Sequence, residues 1–160
     1  MEYKESALKL IEENRVLFPL TDFNGNITGV AGRNLKASPK YVRSGEGFFG
    51  NINTENDTLI IVEGYADAFL AQIYGYDNVI CVSGVHISDE VLEHFAKLNK
   101  RIILFFDSDE FGQKSAKELL EKLKNYGIRA YNYRTDDTGD MIEYLRNGKS
   151  IDRILSVAKG

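Results

Sequence analysis

The sequence predicts an α/β fold built on a parallel sheet, and its second half carries the pattern. Residues 59–62, 79–82 and 102–106 are uninterrupted apolar runs, which is typical of strands buried on both faces. A fourth strand is predicted at residues 128–133. Between the strands, apolar residues recur every three or four positions, as in amphipathic helices. Strands that alternate with such helices form a parallel sheet covered by helices.

Helix ends carry their own signals in this half of the chain. Gly75 and Gly127 are expected to end two helices, because glycine readily adopts the positive φ of a helix C-terminus. Ser88 is expected to be the N-cap of another, with acids in its first turn. In the helix predicted after the strand at residues 59–62, the apolar positions at helical spacing are Ala66, Phe69, Leu70 and Ile73.

The first part of the chain has a different pattern. Residues 1–14 have helical spacing at Ala7, Leu8, Leu10 and Ile11. Strands are expected at residues 15–20 and 27–30, joined by a tight turn at Asn24-Gly25. A glycine-punctuated loop is then expected to reach residue 57. The predicted organisation is a strand-and-loop subdomain at 1–57, a main domain at 58–146 and a carboxyl-terminal helix, capped by Ser150, at 147–160.

Composition excludes several classes of protein. A chain of 160 residues with 43% hydrophobic residues is long enough to bury a core without disulfides or zinc. Its single cysteine, Cys81, lies in an apolar run and is expected to be a buried hydrophobic residue. No secretory signal and no apolar run of about 18 residues is visible, so a cytoplasmic protein is expected. The formal net charge of −4 argues against indiscriminate coating of nucleic acid.

Acidic residues follow the predicted strands where ligands bind in parallel sheets, beyond the carboxyl ends. Glu63 follows the first strand, and Asp107 and Asp109 follow the third. After the fourth strand come Asp136, Asp137 and Asp140. Any one of these acids could simply be solvated at a strand end, but the set indicates a site. Carboxylates without nearby histidine or cysteine select magnesium, calcium or manganese, and a bound cation would relieve their mutual repulsion.

Four segments of this half resemble the motifs of Toprim domains. The Toprim glutamate motif is similar to residues 62–67, VEGYAD, and the Asp-x-Asp motif is similar to residues 106–112, FDSDEFG. A loop before the second helix in primases is similar to residues 83–88, here without its threonine. Their third acidic motif is similar to residues 139–145, GDMIEYL. The resemblance implies a Toprim fold with a four-stranded, mostly parallel sheet flanked by helices.

The front of the chain narrows the resemblance to the catalytic core of bacterial DnaG-type primases. Residues 15–22, RVLFPLTD, are followed by 29–33, GVAGR, and then by the series from Pro39 to Ser44, in the order and spacing of that core. The resemblance covers roughly residues 14–146. It implies a magnesium-dependent nucleotidyltransferase, with manganese as a substitute, that makes short primers on single-stranded DNA from nucleoside triphosphates. A replicative helicase or a separate zinc-binding module is the further partner that it implies.

A basic segment supports nucleic-acid binding independently of the resemblance. No acid lies between Arg33 and Gly45, a stretch that carries four positive charges in a chain of net negative charge. A solvated basic loop would explain this stretch alone, but beside an acidic cluster a groove for phosphates is the better interpretation. Tyr41 could stack on a base. The residues assigned to nucleic acid or nucleotide are Arg33, Lys36, Lys40, Tyr41, Arg43 and Lys114.

The resemblance also implies roles for the acids. Glu63 would be a general acid/base or a metal ligand, Asp107 and Asp109 would hold magnesium, and Asp140 would complete the set. Gly64, Asp67 and Gly112 would support these residues. The sequence departs from the primase pattern in having an acid directly after the second aspartate, and in residues 141 and 142 of the third motif. The zinc-binding module and a helicase-binding carboxyl domain are not expected within this chain.

Two other functions use the same residues. A Toprim nuclease would use the same carboxylates to activate water instead of a 3′-hydroxyl. It would cleave nucleic acid without added nucleotides. A non-catalytic module would keep the fold and bind nucleic acid; its activity in cells would survive Asp107→Asn. A topoisomerase is not expected, because its reaction needs a tyrosine nucleophile on another domain.

Overall fold

The computed structural model describes residues 2–34, 36, 38–83, 85–134 and 141–150. The chain divides into two compact units, Met1–Gly50 and Asn51–Gly160. Each unit has its own buried apolar residues, so each has a hydrophobic core of its own.

The amino-terminal unit places a helix on a three-stranded antiparallel sheet. Its elements are α1 (Glu2–Glu12), β1 (Val16–Thr21), β2 (Ile27–Arg33), β3 (Tyr41–Gly45) and the short β4 (Phe49–Gly50). The strands of the sheet lie in the order β1-β2-β3. Phe18 pairs with Ala31 and both are buried, so one face of this sheet carries the core.

α1 lies close to β2 because Gly32 has no side chain. A Cβ atom at Gly32 would lie 3.0 Å from Leu10 Cδ1. Leu10 is buried, whereas Leu8 and Ile11 are 65% and 56% exposed. The predicted helix is confirmed, but helical spacing did not identify which of its apolar residues reach the core.

The turn between β1 and β2 is longer than the tight turn predicted at Asn24-Gly25. Strand pairing leaves residues 22–26 in the loop. Asp22 holds this loop, because its Oδ1 accepts hydrogen bonds from the backbone N–H groups of Asn24 and Asn26, both at 2.9 Å. Gly25 has a φ of 84°, which suits glycine. The hairpin prediction is confirmed, and the predicted turn length is wrong.

The loop predicted before residue 57 is partly wrong, because β3 lies within it. β2 also runs on to Arg33, three residues beyond its predicted end. The two strands pair along their length, with Tyr41 opposite Arg33 and Arg43 opposite Ala31. All five residues of β3 are exposed or half-buried. Apolar patterning therefore gives no signal for this strand.

The second unit has the predicted alternation of strands and helices. Its elements are β5 (Thr58–Val62), α2 (Tyr65–Ile73), β6 (Val79–Cys81), α3 (Asp89–Lys97), β7 (Arg101–Phe105), α4 (Glu110–Asn125), β8 (Ala130–Asn132) and α5 (Met141–Arg146). These strands lie in the order β6-β5-β7-β8, and each neighbouring pair is parallel. β5 is central and all five of its residues are buried. The predicted α/β fold with a mostly parallel sheet flanked by helices is confirmed, although the sheet has five strands and not the predicted four.

The buried face of α2 differs from the predicted one. Its buried residues are Tyr65, Asp67, Ala68 and Ala71. Phe69 and Ile73 are 49% and 64% exposed. The buried side of α2 therefore combines Tyr65 with small residues, while two of the predicted apolar residues are exposed.

Helix ends follow the sequence signals. Ser88 is the N-cap of α3, because its Oγ accepts a hydrogen bond from the Val91 N–H at 3.3 Å. Gly127 follows α4 with a φ of 72°, and Gly75 follows α2 with a φ of 89°. Both glycines therefore have the left-handed conformation expected after a helix.

The longest helix among the described residues is α4, with 16 residues. Its buried positions, such as Ala116, Leu119 and Leu123, lie along one side, and its other positions are largely charged. Within the described ranges, no helix combines the length and the apolar character needed to cross a bilayer.

Several predictions lie outside the described residues. They concern the acids Asp136, Asp137 and Asp140, Gly84 of the loop at residues 83–88, and the helix predicted after Ser150.

Candidate active site

The centre of the candidate site is the hydrogen bond between Glu63 and the turn after β7. Val62 pairs with Phe105 in neighbouring parallel strands, so the residues that follow them leave the same edge of the sheet. Glu63 Oε1 accepts a hydrogen bond of 3.0 Å from the backbone N–H of Asp107. Two residues that are 44 positions apart in the sequence are thereby joined at the carboxyl edge, as the sequence predicted.

The Glu63 carboxyl is half-buried and lies near other negative charges. Burial raises its pKa above the ordinary value, because water no longer solvates the charge fully. The N–H of Asp107 lowers the pKa in part, and the charges of Asp107 and Asp109 raise it further. Charge on Asp107 and Asp109 therefore adds to burial in disfavouring the charged form of Glu63.

Replacing Glu63 by glutamine is expected to stabilise the metal-free protein at neutral pH. Because the pKa of Glu63 is raised in the folded state, the native chain loses stability as pH rises from the ordinary glutamate pKa through this raised pKa. Glutamine keeps an oxygen for the Asp107 N–H but carries no charge. The free energy of unfolding of Glu63→Gln should therefore exceed that of the native chain by an amount that grows over this pH interval. The difference should level off at neutral pH.

Urea unfolding in a chelator, over a series of pH values, measures this difference. Glu118→Gln, an exposed change on α4, is the matched control and should show no such trend. Saturating manganese should reverse the order, because a cation bound at the neighbouring carboxylates would attract the charge of native Glu63. A stability difference that is the same at every pH would contradict the prediction.

Asp109 has a structural contact at the start of α4. It is the N-cap of this helix, and its Oδ1 accepts a hydrogen bond of 2.7 Å from the Gly112 N–H. A Cβ atom at Gly112 would collide with the Asp107 carbonyl oxygen and lie 2.9 Å from Glu63 Oε1. Glycine at this position thus allows α4 to begin against both acidic residues.

Two amides extend the site and were missed from the sequence. Gln113 Nε2 donates a 3.0 Å hydrogen bond to the Asp107 carbonyl oxygen. Asn132 Nδ2 in turn donates to Gln113 Oε1 at 3.1 Å. The turn that carries Asp107 is therefore held through its N–H by Glu63 and through its carbonyl by Gln113 of α4. Asn132 of β8 in turn holds Gln113 in place. Only the position of Gln113 next to Gly112 could have pointed to this.

Other contacts fix the segment around Glu63. The Cys81 thiol donates a 3.2 Å hydrogen bond to the Glu63 carbonyl oxygen, and Cys81 is fully buried as predicted. Asp67 is buried, and a Cβ atom at Gly64 would lie 2.6 Å from its Oδ2. The Tyr65 hydroxyl donates to the Ser83 carbonyl at 2.9 Å.

The donor atoms fit a hard cation. Glu63, Asp107 and Asp109 offer carboxylate oxygens only, which suit magnesium or manganese. Among the described residues, no group of three or more acidic, histidine or cysteine side chains could hold a metal ion, so Glu63, Asp107 and Asp109 do not together form one ligand set. Magnesium commonly takes one or two carboxylates and fills its shell with water and phosphate oxygens. The residues present therefore fit a magnesium site completed by a substrate.

The amino-terminal unit carries a basic and aromatic cluster. The guanidinium carbon of Arg33 lies 5.4 Å from the centre of the Tyr41 ring, and Lys40 Nζ lies 5.8 Å from it. Arg33 Nε is buried and has no hydrogen-bond partner among the described residues. Lys36 and Lys40 are exposed. Two cations thus flank one partly exposed aromatic ring.

A cleft of about 600 Å³ lies in the same unit, between α1 and β3. Arg43 lines the cleft, together with Lys9 and Arg15. Lys9 and Arg15 were not among the residues predicted to bind nucleic acid. Arg43 Nη2 donates to the Gly47 carbonyl at 2.9 Å, and Arg15 forms a 2.9 Å ion pair with Glu13. Lys9 and Arg15 lie outside the acid-free stretch, so charge patterning alone did not identify them.

Comparisons with known proteins agree with this geometry. The Toprim-like family model matches residues 60–145, more than half of the chain. A DNA primase of Clostridium acetobutylicum is 31% identical over 150 residues, which cover 85% of this chain and 25% of that protein. A DNA primase of Aquifex aeolicus is 28% identical over 91% of this chain and 32% of its own length. The chain thus spans a quarter to a third of these relatives.

Solved structures give the same result. The crystal structure of the Aquifex aeolicus primase, with zinc-binding and RNA polymerase domains, matches with a TM-score of 0.75 and 26% identity, over 83% of this chain and 37% of that one. A DNA primase domain from Pseudomonas aeruginosa matches with a TM-score of 0.75 and 26% identity, over 88% and 49%. The resemblance to Toprim domains and primase cores is confirmed, and the chain belongs to the Toprim-like family.

Proposed function

We propose that the chain is a primase-type nucleotidyltransferase, which makes short primers on single-stranded DNA by magnesium-dependent phosphoryl transfer. The observation that carries this proposal is the hydrogen bond between Glu63 and Asp107, which joins carboxylate-bearing segments at the edge of a parallel sheet. The relatives that share this family and fold are DNA primases. Because the chain spans only part of those relatives, its activity is a proposal.

Asp107 and Asp109 are the residues proposed to hold magnesium, with Asp140 as a further ligand. When bound, magnesium neutralises the charge of the reacting phosphates. Asp109 Oδ1 already caps α4, so its Oδ2 is the oxygen directed to this role. The backbone contacts of Asp107 hold its turn in place, so its carboxylate is presented without a large ordering cost.

Glu63 is proposed as the general base. Its Oε1 is held by the Asp107 N–H, which leaves Oε2 to take the proton of a 3′-hydroxyl. The new bond joins the 3′-oxygen to the α-phosphorus of a nucleoside triphosphate, and the bond from this phosphorus to the bridging oxygen breaks to release pyrophosphate. A raised pKa suits the role, because a stronger base accepts the proton more readily near neutral pH.

The basic cluster of the amino-terminal unit is proposed to bind the template or the incoming nucleotide. Arg33, Lys36, Lys40 and Arg43 would contact phosphates, and Tyr41 would stack on a base. Arg33 has a buried Nε that a phosphate oxygen could satisfy. A separate zinc-binding module or a replicative helicase is the proposed partner, since the Aquifex primase structure includes a zinc-binding domain. The proposed primer synthesis would take place in the cytoplasm.

The chain is expected to form or extend primers when it is incubated with single-stranded DNA, magnesium and labelled ribonucleotides. Gel analysis of labelled products measures this, and parallel reactions with deoxyribonucleotides determine the preferred sugar. A chelator should abolish the product. A supplied primer tests elongation separately from initiation.

Two outcomes would replace the proposal. Metal-dependent cleavage of DNA or RNA without nucleotides would assign the same carboxylates to a nuclease. Neither product nor primer extension, in the presence of DNA binding, would favour the non-catalytic module.

A further inference from the structure

The side chain of Phe111 has no place in the core. It is 83% exposed, more than any other large apolar side chain among the described residues. The other apolar residues of α4 face the sheet, and Ala116 and Leu123 are fully buried. Phe111 therefore contributes little to folding, and its ring is accessible to a ligand. A single exposed apolar side chain is common, so it is the position of Phe111 that argues for a role.

Phe111 lies directly beside the candidate active site. It is the second residue of α4, two positions after the N-cap Asp109. The next residue, Gly112, approaches Glu63 Oε1 and the Asp107 carbonyl. Phe111 thus stands at the same sheet edge as the three carboxylates, on the adjoining solvent-exposed side of the helix start.

Lys114 lies one helical turn further along α4. Residues three apart are neighbours on a helix surface, so the ammonium of Lys114 and the ring of Phe111 share one exposed face. A flat apolar ring next to a cation is the arrangement that binds single-stranded nucleic acid, where bases stack on aromatics and phosphates meet lysines. A nucleobase is a better-supported occupant than a protein surface, because the proposed chemistry already brings a nucleotide to this edge of the sheet.

We propose that Phe111 stacks on a nucleobase at the entrance of the active site, and that Lys114 contacts the adjoining phosphate. This inference rests on the proposed function and adds a base-binding position to it. The base belongs either to the DNA strand or to the incoming nucleoside triphosphate. Both present the same aromatic face to Phe111.

Phe111→Trp gives a direct readout, because the chain contains no tryptophan. The fluorescence of this single tryptophan should be strongly quenched when a base stacks on it. Titration with an oligodeoxythymidylate, and separately with ATP in calcium, distinguishes a strand base from a nucleotide base. Tyr74→Trp is the matched control, since Tyr74 is 55% exposed at the far end of α2, toward the opposite edge of the sheet.

One of the two ligands is expected to quench the fluorescence of Phe111→Trp. Phe111→Ala should lower the affinity for that ligand about tenfold, because stacking of one base on an aromatic ring contributes about that factor in affinity. For the oligonucleotide, Lys114→Ala should make the fall of log affinity with log salt concentration less steep, by about one in the slope. Lys124→Ala, exposed at the other end of α4, should leave both measurements unchanged. Circular dichroism checks that each variant is folded.

The outcomes separate this inference from the proposed function. If primers are made but neither ligand quenches Phe111→Trp and Phe111→Ala binds normally, the base-stacking position is wrong and the enzymatic proposal stands. If quenching occurs but no primer is made or extended, the base-binding position stands and the primase proposal is wrong. Equal quenching of Phe111→Trp and Tyr74→Trp would also overturn the inference.

Discussion

Replacing Asp107 by asparagine is expected to lower primer synthesis by more than about a hundredfold while the protein stays folded. Loss of a group that only supports a metal ligand costs about 10- to 100-fold, so loss of a proposed ligand should cost more. The fold should survive, because the Asp107 backbone makes the bonds to Glu63 and Gln113. Asparagine keeps the shape and removes the charge. Initial rates of nucleotide incorporation over a magnesium titration measure the effect.

Asp57→Asn is the matched control for this substitution. Asp57 is exposed just before β5, at the edge of the sheet opposite the site, so its charge should not affect catalysis. The control should have the native rate and the native melting temperature. Without metal, Asp107→Asn should melt no lower than the native chain, because it removes a charge that repels Glu63. Native activity of Asp107→Asn would remove the basis for a catalytic Toprim site and would favour the non-catalytic module.

Replacing Gly112 by alanine is expected to destabilise the chain and to abolish activity. In an ordinary helix position this change stabilises a protein by up to about 1 kcal/mol. Here the added Cβ would meet the backbone carbonyl of Asp107 and approach Glu63 Oε1. A backbone carbonyl cannot rotate away as a side chain can, so the turn must move. An overpacking cost of about 1–3 kcal/mol should outweigh the helix preference.

Urea unfolding and the rate of nucleotide incorporation measure the two effects of Gly112→Ala. Ser115→Ala, on the exposed surface of the same helix, is the control and should be neutral in both. If Gly112→Ala proved more stable than the native chain and remained active, the close packing of α4 against the acidic turn would be refuted.

The sequence predicted the fold of the second unit well because burial there follows simple periodicity. β5 and β7 are apolar runs with nearly all of their residues buried, and parallel pairing brings their carboxyl ends together. The meeting of Glu63 with Asp107 followed from this geometry alone. Ser88 and Gly127 marked helix ends because capping depends on local conformation, which a short segment specifies.

The failures have physical causes of a different kind. β3 is a half-exposed strand, so its pairing with β2 leaves no apolar pattern. α2 buries Tyr65, Ala68 and Ala71 instead of Phe69 and Ile73, because the orientation of the helix on the sheet decides which side is covered. The Gln113–Asn132 contact joins residues from two elements that only tertiary packing brings together. Such features depend on neighbours that one segment does not reveal.

The central position of β5 has a consequence for which residues of the candidate site can vary. Glu63 is mounted on the best-protected strand of the sheet, flanked on both sides and buried along its whole length. Residues 110 and 111 sit instead on the open first turn of a helix. Substitutions can therefore accumulate at that rim and alter what binds there, while the carboxylate of Glu63, the proposed general base, follows a strand whose buried residues tolerate few changes.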